Sequence, residues 1–196
     1  MFRFIETIRI QGGIPQNLML HRQRLEATFA RFFPDAKVPS LHEHLNSKRF
    51  PLSEVLKCRI LYNQKIIKTE IITYIPKQIE SFKLVTNNSI SYEYKFSDRR
   101  ILMRGNNNGE EPIFVKNGLI TDTSFSNLAV LLGGEWYTPA QPLLKGTMRA
   151  LLLQSGQIHE KDISVVEFLS CEKFRLINAM LPLDESKDYF PSLITG

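Results

Sequence analysis

The chain has 196 residues, which is enough for one substantial domain or for two small ones. Hydrophobic residues make up 43% and charged residues 23%, an ordinary balance for a globular protein, and no stretch approaches the ~20 apolar residues of a membrane span. The net charge is +5, but the basic residues are scattered along the chain. This distribution argues against a nucleic-acid-binding arm and favours small anionic ligands such as phosphates and carboxylates.

The cysteine content and the first residues bear on the compartment. Cys58 and Cys171 lie in apolar segments and lack the spacing of metal ligands. They are interpreted as buried thiols, which indicates a reducing compartment. Residues 1–10 contain arginines but no uninterrupted apolar core of signal-peptide length. The sequence therefore predicts a cytoplasmic protein that binds neither membrane nor nucleic acid.

The first 80 residues mix strand and helix patterns. Residues 4–10 alternate as a half-buried strand does, whereas apolar residues after Asn17 recur near a 3.6-residue period until Pro34. The predicted elements are a strand at 4–10, a helix from Asn17 to about Pro34, a helix over 41–48 with a restart near Leu52, and a hairpin of strands 57–62 and 66–75.

The remaining residues contain more strands than helices. Asn117-Gly118 and Gly133-Gly134 are typical of hairpin turns, and a mobile turn is also predicted at 105–112. The predicted elements are strands at 82–85, 113–115, 128–132, 135–137 and 174–178, a short helix after Lys95 and a helix from Thr147 to Gln154. A composition shift between residues 76 and 88 predicts a domain boundary, with lobes of residues 1–80 and 81–196.

Five segments carry residues that are suited to chemistry. In chain order they are His21-Arg22-Gln23-Arg24-Leu25, Tyr94-Lys95-Phe96-Ser97-Asp98-Arg99, Ile120-Thr121-Asp122-Thr123-Ser124-Phe125-Ser126-Asn127-Leu128, Lys145-Gly146-Thr147-Met148-Arg149 and Leu176-Ile177-Asn178-Ala179-Met180-Leu181-Pro182. Each alone is a weak signal. The first four, in this order, resemble the fold-type IV enzymes that use pyridoxal 5'-phosphate (PLP), and the fifth lies where that family closes the cofactor pocket. That family includes branched-chain and D-amino-acid aminotransferases and aminodeoxychorismate lyase.

Lys95 is predicted to lie between Tyr94 and Phe96 just after a strand, and it matches the position of the Schiff-base lysine in this family. An isolated lysine is usually a solvated surface residue, whereas the Schiff-base role needs an amine whose ammonium form is disfavoured by burial or by nearby positive charge. The resemblance implies that Lys95 is the catalytic residue. It would hold PLP covalently and, once substrate displaces it, would move the substrate proton.

Asp122 lies where the family usually has a glutamate that keeps the pyridine nitrogen of PLP protonated. The aspartate is one methylene shorter, and the glycine that usually follows is missing. The alternative is an aspartate that caps the turn after Asn117-Gly118. Ser126 and Asn127 are expected to orient this loop or to contact the cofactor ring.

The phosphate of PLP requires charged donors and backbone N–H groups. The resemblance implies that Arg24 binds this phosphate and that Gly146, Thr147 and Met148 meet it with their amides at a helix N-terminus. Taken alone, Arg24 would be a residue of a solvated helix face, and Gly146-Thr147 an ordinary N-cap. Asn178 lies where the family closes the cofactor pocket.

Three residues are candidates for binding a substrate carboxylate. Arg59 lies in a predicted strand, where it is equally well interpreted as an edge-strand charge. Thr7 and Arg9 share one face of the first strand. No metal site is expected, since His42 and His44 would point to different faces of a helix.

The resemblance implies a two-lobed α/β (α+β) fold of the D-amino-acid aminotransferase type. The small N-terminal α/β lobe is expected to be shortened at its start and the larger C-terminal lobe to contain a barrel-like sheet, with the cofactor cleft between them. A homodimer is also implied.

The leading functional prediction is a PLP-dependent lyase that converts 4-amino-4-deoxychorismate to 4-aminobenzoate and pyruvate in folate precursor synthesis. Residues 145–149 and 176–182 are most like aminodeoxychorismate lyase. One alternative is a class IV aminotransferase acting on branched-chain or D-amino acids, with the same cofactor residues. The other is a catalytically inactive binding protein that has kept the PLP fold.

Overall fold

The computed structural model describes residues 2–103 and 110–195. Of the turn predicted at 105–112, residues 105–109 lie outside this range, and the prediction is wrong at its end, because Glu111 and Pro112 begin the strand Glu111–Lys116. The chain has an α/β fold and divides into two compact units. The first unit contains the residues up to Pro76 together with Tyr94–Asp98, and the second contains Lys77–Glu93 together with the residues from Arg99 onward. Among the described helices, none is long and apolar enough to cross a membrane.

The first unit is an antiparallel sheet with two helices. Its elements are strands β1 (Phe4–Gln11), β2 (Ile14–Pro15), β3 (Leu56–Tyr62) and β4 (Ile66–Thr73), and helices α1 (Leu18–Phe32) and α2 (Leu41–Asn46). The strands lie in the order β2-β1-β3-β4. The predicted strand, long helix and hairpin are confirmed. The predicted helix restart near Leu52 is wrong, because this leucine follows Pro51 in a bend and is exposed, with no apolar face to bury.

The core of the first unit explains where its polar residues lie. One face of β1 carries Phe4, Ile8 and Ile10, which pack with residues of α1 such as Leu25 and Phe29. Successive side chains of a strand point to opposite faces, so Glu6 shares the apolar face of β1. The buried stripe of α1 consists of His21, Leu25, Thr28 and Phe29, the spacing of one helix face.

The second unit contains two four-stranded sheets, with no closed barrel among its described residues. Its strands are β5 (Phe82–Thr86), β6 (Glu111–Lys116), β7 (Leu119–Thr123), β8 (Asn127–Leu132), β9 (Glu135–Pro139), β10 (His159–Lys161), β11 (Lys173–Ile177) and β12 (Ile194–Thr195). Its helices are α3 (Arg100–Met103), α4 (Thr147–Gln154), α5 (Val165–Leu169) and a 3-10 turn at Pro191–Leu193. The sheets have the orders β12-β5-β6-β7 and β10-β9-β8-β11.

Local sequence signals account for most of the second unit. Asn117 and Gly118 both have positive φ in the β6–β7 turn, as a tight hairpin requires. The sequence interpretation missed β7. Four of its five residues are buried, including polar ones, so apolar and polar residues do not alternate along this strand. The sequence interpretation also missed α5, although Ser164 and Glu167 form a capping box there.

Candidate active site

Lys95 belongs to the first unit and lies half-buried in the segment Tyr94–Asp98. The backbone N–H of Ile5 in β1 donates to the Lys95 carbonyl oxygen at 2.9 Å, so the strand fixes the backbone from which the lysine side chain extends. The sequence interpretation put this lysine directly after a strand. Instead, β5 ends at Thr86, and Lys95 follows an irregular stretch.

Arg24 binds the carboxylate of Glu6 in the first unit. Its Nε lies 2.9 Å from Oε1 and its Nη2 lies 2.5 Å from Oε2. The Arg24 side chain is 13% exposed and that of Glu6 is fully buried. The alternative of a solvated helix face is therefore wrong for Arg24. Whether this arginine binds phosphate stays a prediction.

His21 completes a buried polar group with Glu6 and Arg24. Its Nδ1 lies 2.6 Å from Oε2 of Glu6, and its side chain is fully buried. His21 and Arg24 are three residues apart on α1 and so lie on neighbouring positions of one helix face. Because a carboxylate only accepts hydrogen bonds, Nδ1 carries the proton that His21 donates to Glu6.

The charges within this group determine its protonation. Burial raises the pKa of Glu6, but the Arg24 guanidinium and the hydrogen bonds from His21 and Arg24 outweigh burial and lower the pKa to about 2. Burial lowers the pKa of His21, aided by the positive charges of Arg24 and Lys95 and opposed by Glu6. At neutral pH, Glu6 is therefore a carboxylate beside a neutral imidazole. The other ring nitrogen of His21 is buried and finds no hydrogen-bond partner among the described residues.

The three substrate-binding candidates lie on the face of the β2-β1-β3-β4 sheet that is opposite to Glu6. Thr7 lies directly across from Arg59 in the β1–β3 register, and Arg9 lies across from Lys57. Arg59 is on a central strand, so its interpretation as an edge-strand charge is wrong, and its Nη1 lies 3.3 Å from Glu70 Oε2. A cationic face thus forms on β1 and β3, and carboxylate binding there stays a prediction.

Asp122 lies at the end of β7 in the second unit and is buried. Its Oδ1 accepts from Asn127 Nδ2 at 2.8 Å and its Oδ2 from the Leu144 N–H at 2.9 Å. The alternative of a cap on the turn after Asn117-Gly118 is therefore wrong. Burial raises the pKa of Asp122 to about 7, although the hydrogen bonds from Leu144 and Asn127 oppose this shift.

Asn127 connects Asp122 to the start of α4. Its Nδ2 also donates to the Leu144 carbonyl oxygen at 2.8 Å. A Cβ atom on Gly146 would lie only 2.1 Å from Asn127 Oδ1, so the packing of this amide requires glycine at the N-cap. Gly146 offers no capping side chain, and the first turn of α4, from Thr147, has no acidic residue. The start of this helix is therefore suited to an anion.

Ser126 and Asn178 join the start of β8 to the end of β11. Asn178 Nδ2 donates to Ser126 Oγ at 2.7 Å, and Asn178 Oδ1 accepts from the Met180 N–H at 2.8 Å. The bond from Asn178 holds Ser126, which directly precedes Asn127 in the chain. Cofactor contacts of Ser126, Asn127 and Asn178 stay predictions. Met148 in α4 is buried and belongs to an apolar cluster with Ala129 of β8 and Ile177 of β11.

Two buried carboxylates were missed by the sequence interpretation. They are Glu6, described above, and Glu111, which accepts from the Ser124 N–H at 2.9 Å and from Lys77 Nζ at 2.6 Å. The sequence of β1 did indicate a buried Glu6, since the period-two alternation of a strand puts Glu6 on the same face as Phe4. The partners of Glu111 are distant in sequence, so no local pattern predicted them.

The available residues fit PLP by their chemistry. Arg24 and Lys95 in the first unit are cations, and the uncapped start of α4 in the second suits a phosphate. Asp122 is a buried carboxyl held by hydrogen bonds from Asn127 and from the backbone at Leu144, a type of group that can pair with a protonated ring nitrogen. Among the described side chains, no group of three or more His, Cys, Asp or Glu could hold a metal ion.

Comparison with known proteins identifies the family. The family model of amino-transferase class IV matches residues 91–183. An uncharacterised protein of Haemophilus influenzae is 32% identical over 185 residues, which are 92% of this chain and 98% of that protein. The chain belongs to the class IV aminotransferase family. This family comprises fold-type IV enzymes that depend on PLP, and the resemblance seen in the sequence is confirmed.

Solved structures agree with the fold. A candidate 4-amino-4-deoxychorismate lyase of Haemophilus somnus 129PT is 33% identical, with a TM-score of 0.81, and the match covers 93% of this chain and 98% of that one. A candidate amino-acid aminotransferase of Mesorhizobium loti is 19% identical with a TM-score of 0.72, covering 96% and 98%, and shows the fold alone. The predicted α/β fold class is confirmed.

Proposed function

We propose that this class IV family member is a PLP-dependent lyase that converts 4-amino-4-deoxychorismate to 4-aminobenzoate and pyruvate, a step towards folate. The observation that carries the proposal is its similarity to the Haemophilus somnus candidate lyase, which is 33% identical and covered over 98% of its length. Residues 145–149 and 176–182 support the same reaction because they resemble aminodeoxychorismate lyase.

The role of each site residue towards PLP follows from the resemblance to the family. Arg24 and the amides of Gly146, Thr147 and Met148 would hold the phosphate, and Lys95 would hold the aldehyde carbon. Bound PLP supplies an electron sink for the pair released when a substrate C–H bond breaks. Asp122 would stabilise a protonated ring nitrogen. Its hydrogen bonds to Asn127 and Leu144 hold the short aspartate in one orientation.

Lys95 would act as the proton carrier. Its amine would take the proton from the substrate carbon that bears the amino group, and the C–O bond on the adjacent carbon would then break to release the enolate of pyruvate. Return of a proton to this enolate gives pyruvate and restores the Lys95 amine. The ring becomes aromatic in the same process, which provides most of the driving force. The protein therefore contributes mainly orientation and proton transfer.

The cationic face of β1 and β3 is proposed to receive the substrate carboxylates. Arg59 presents a planar guanidinium, and Thr7 and Arg9 lie beside it on the same face. We also propose that the protein is a cytoplasmic homodimer that binds neither nucleic acid nor membrane.

The deciding experiment measures 4-aminobenzoate and pyruvate from 4-amino-4-deoxychorismate without any added keto acid. Both products are expected in equal amounts from the protein with PLP, and neither from Lys95→Ala. The matched control is Lys65→Ala, which removes an exposed lysine in the β3–β4 turn and should leave the rate unchanged. No product from the unaltered protein would exclude the lyase.

A class IV aminotransferase is the second candidate, favoured by the family model that matches residues 91–183. An aminotransferase transfers the amino nitrogen to the cofactor and stops until a keto acid removes it. A lyase leaves the nitrogen on its product. If common amino acids change the cofactor absorbance and a keto acid restores it, the aminotransferase replaces the lyase. PLP binding without either reaction would indicate an inactive binding protein.

A further inference from the structure

The proposed function leaves two buried residues of the first unit without a role. Glu6 and His21 have fully buried side chains, and both belong to the polar group that contains Arg24. A charged carboxylate on the apolar face of β1, among Phe4 and Ile8, is unfavourable unless its partners stabilise it. Hydrophobic residues would fill this position with less desolvation. Its presence therefore calls for an explanation beyond packing.

The geometry of the Arg24–Glu6 pair constrains the guanidinium. Both carboxylate oxygens are used, one by Nε at 2.9 Å and the other by Nη2 at 2.5 Å. Two parallel hydrogen bonds fix the plane of a guanidinium as well as its position. An arginine that is already held in one orientation loses less conformational freedom when an anion binds. The pair thus prepares Arg24 for a ligand rather than sequestering it from one.

His21 in turn fixes the carboxylate. Its Nδ1 donates to Oε2 of Glu6 at 2.6 Å, the oxygen that also accepts from Arg24 Nη2. His21 and Arg24 lie on α1 while Glu6 lies on β1, so the three residues tie the helix to the strand. Movement of the carboxylate would break the bonds to both partners.

We propose that Glu6 is a positioning residue that holds the Arg24 guanidinium ready for the phosphate of PLP, and that His21 fixes Glu6 in place. This inference rests on the proposed phosphate-binding role of Arg24. It concerns the phosphate alone, because the hydrogen bonds that carry it all meet at the Glu6 carboxylate, which holds Arg24.

Three possible roles of Glu6 differ in the sign of their effect on phosphate recognition. A positioning residue increases the affinity for PLP relative to pyridoxal, which lacks the phosphate. A countercharge that merely neutralises Arg24 would decrease this preference, since a nearby anion repels phosphate. A purely structural residue would affect the binding of both compounds equally and leave the preference unchanged.

The experiment measures the dissociation constants of PLP and pyridoxal by equilibrium dialysis against the purified full-length protein. The preference for PLP is expected to fall roughly tenfold in Arg24→Ala and in Glu6→Gln, the loss expected for a charge-assisted hydrogen bond. Glutamine keeps the size of Glu6 but loses the second acceptor oxygen. An unchanged or increased preference in Glu6→Gln would overturn the inference.

Two variants of His21 provide a matched pair if Glu6→Gln does not fold. Asparagine keeps an N–H donor near the position of Nδ1, whereas leucine has a similar volume and no donor. His21→Asn is expected to keep the preference of the unaltered protein, and His21→Leu to reduce it several-fold. Equal preferences in the two variants would remove His21 from the inference.

The same measurements separate this inference from the proposed function. If the unaltered protein does not prefer PLP, or if Arg24→Ala keeps the preference, Arg24 does not bind the phosphate and the inference falls with that role. If the preferences behave as expected but no lyase product forms, the proposed reaction is wrong and the role of Glu6 stands.

Discussion

The buried carboxyl of Asp122 should make the stability of the PLP-free protein depend on pH. Its pKa is about 7 in the folded protein against an ordinary value of 3.8, because burial disfavours the charged form. A pKa that is raised by folding adds stability below the unfolded pKa, and this stability is lost as the pH rises through the folded pKa. The window for Asp122 is therefore from about pH 4 to about pH 7.

The size of this effect follows from the shift. A difference of about three pKa units corresponds to roughly 4 kcal/mol of free energy of unfolding, at about 1.36 kcal/mol per unit. The Asp122→Asn variant has no carboxyl to ionise at this position. It also has one acceptor oxygen fewer for the bond from Asn127, so this variant should be less stable than the unaltered protein at acidic pH. As the pH rises from 4 to 8, the unaltered protein is expected to lose about 3–5 kcal/mol more than this variant.

The measurement is urea unfolding of both proteins without PLP at several pH values, followed by circular dichroism. Comparing the two proteins isolates the contribution of Asp122 to the pH dependence of stability, because Glu6 and His21 titrate in both. Parallel curves for the two proteins between pH 4 and pH 8 would refute the reasoning. They would mean that Asp122 remains ionised and hydrated in the folded protein.

Three further predictions concern Gly146, Lys95 and Glu111. Gly146→Ala should destabilise the protein by about 2–5 kcal/mol in urea unfolding, because its Cβ would displace the Asn127 amide. The double variant Gly146→Ala with Asn127→Ala should then be little less stable than Asn127→Ala alone. Additive losses of stability would contradict this coupling. Borohydride reduction of the protein with PLP should attach the cofactor to Lys95 in peptide maps; a label on another lysine would show that the assignment is wrong. Glu111→Ala should lose about 1–3 kcal/mol more stability than Glu111→Gln, which can still accept from the backbone at Ser124, and equal losses would exclude that bond as the cause.

The sequence predicted the elements whose signals are local. The helix over Leu18–Phe32 ends before Pro34, and α4 begins and ends at the predicted residues Thr147 and Gln154. The turn at Asn117-Gly118 follows from the backbone freedom of those two residue types. Each of these features depends on residues within one turn or one helical period, so composition and spacing suffice. The ordered motifs likewise identified the family.

Only the tertiary structure decided which polar side chains meet. Glu6 and Arg24 are separated by 18 positions, and Asp122 and Leu144 by 22, so no helical or strand period relates them. The same holds for Arg59, whose place on a central strand depends on how β1 and β4 pair with β3. Alternation along β1 puts Glu6 on the buried face, but only the packing of α1 against that face provides the guanidinium and imidazole that keep the carboxylate charged. Burial of an ion depends on its partners, and those partners come from elsewhere in the chain.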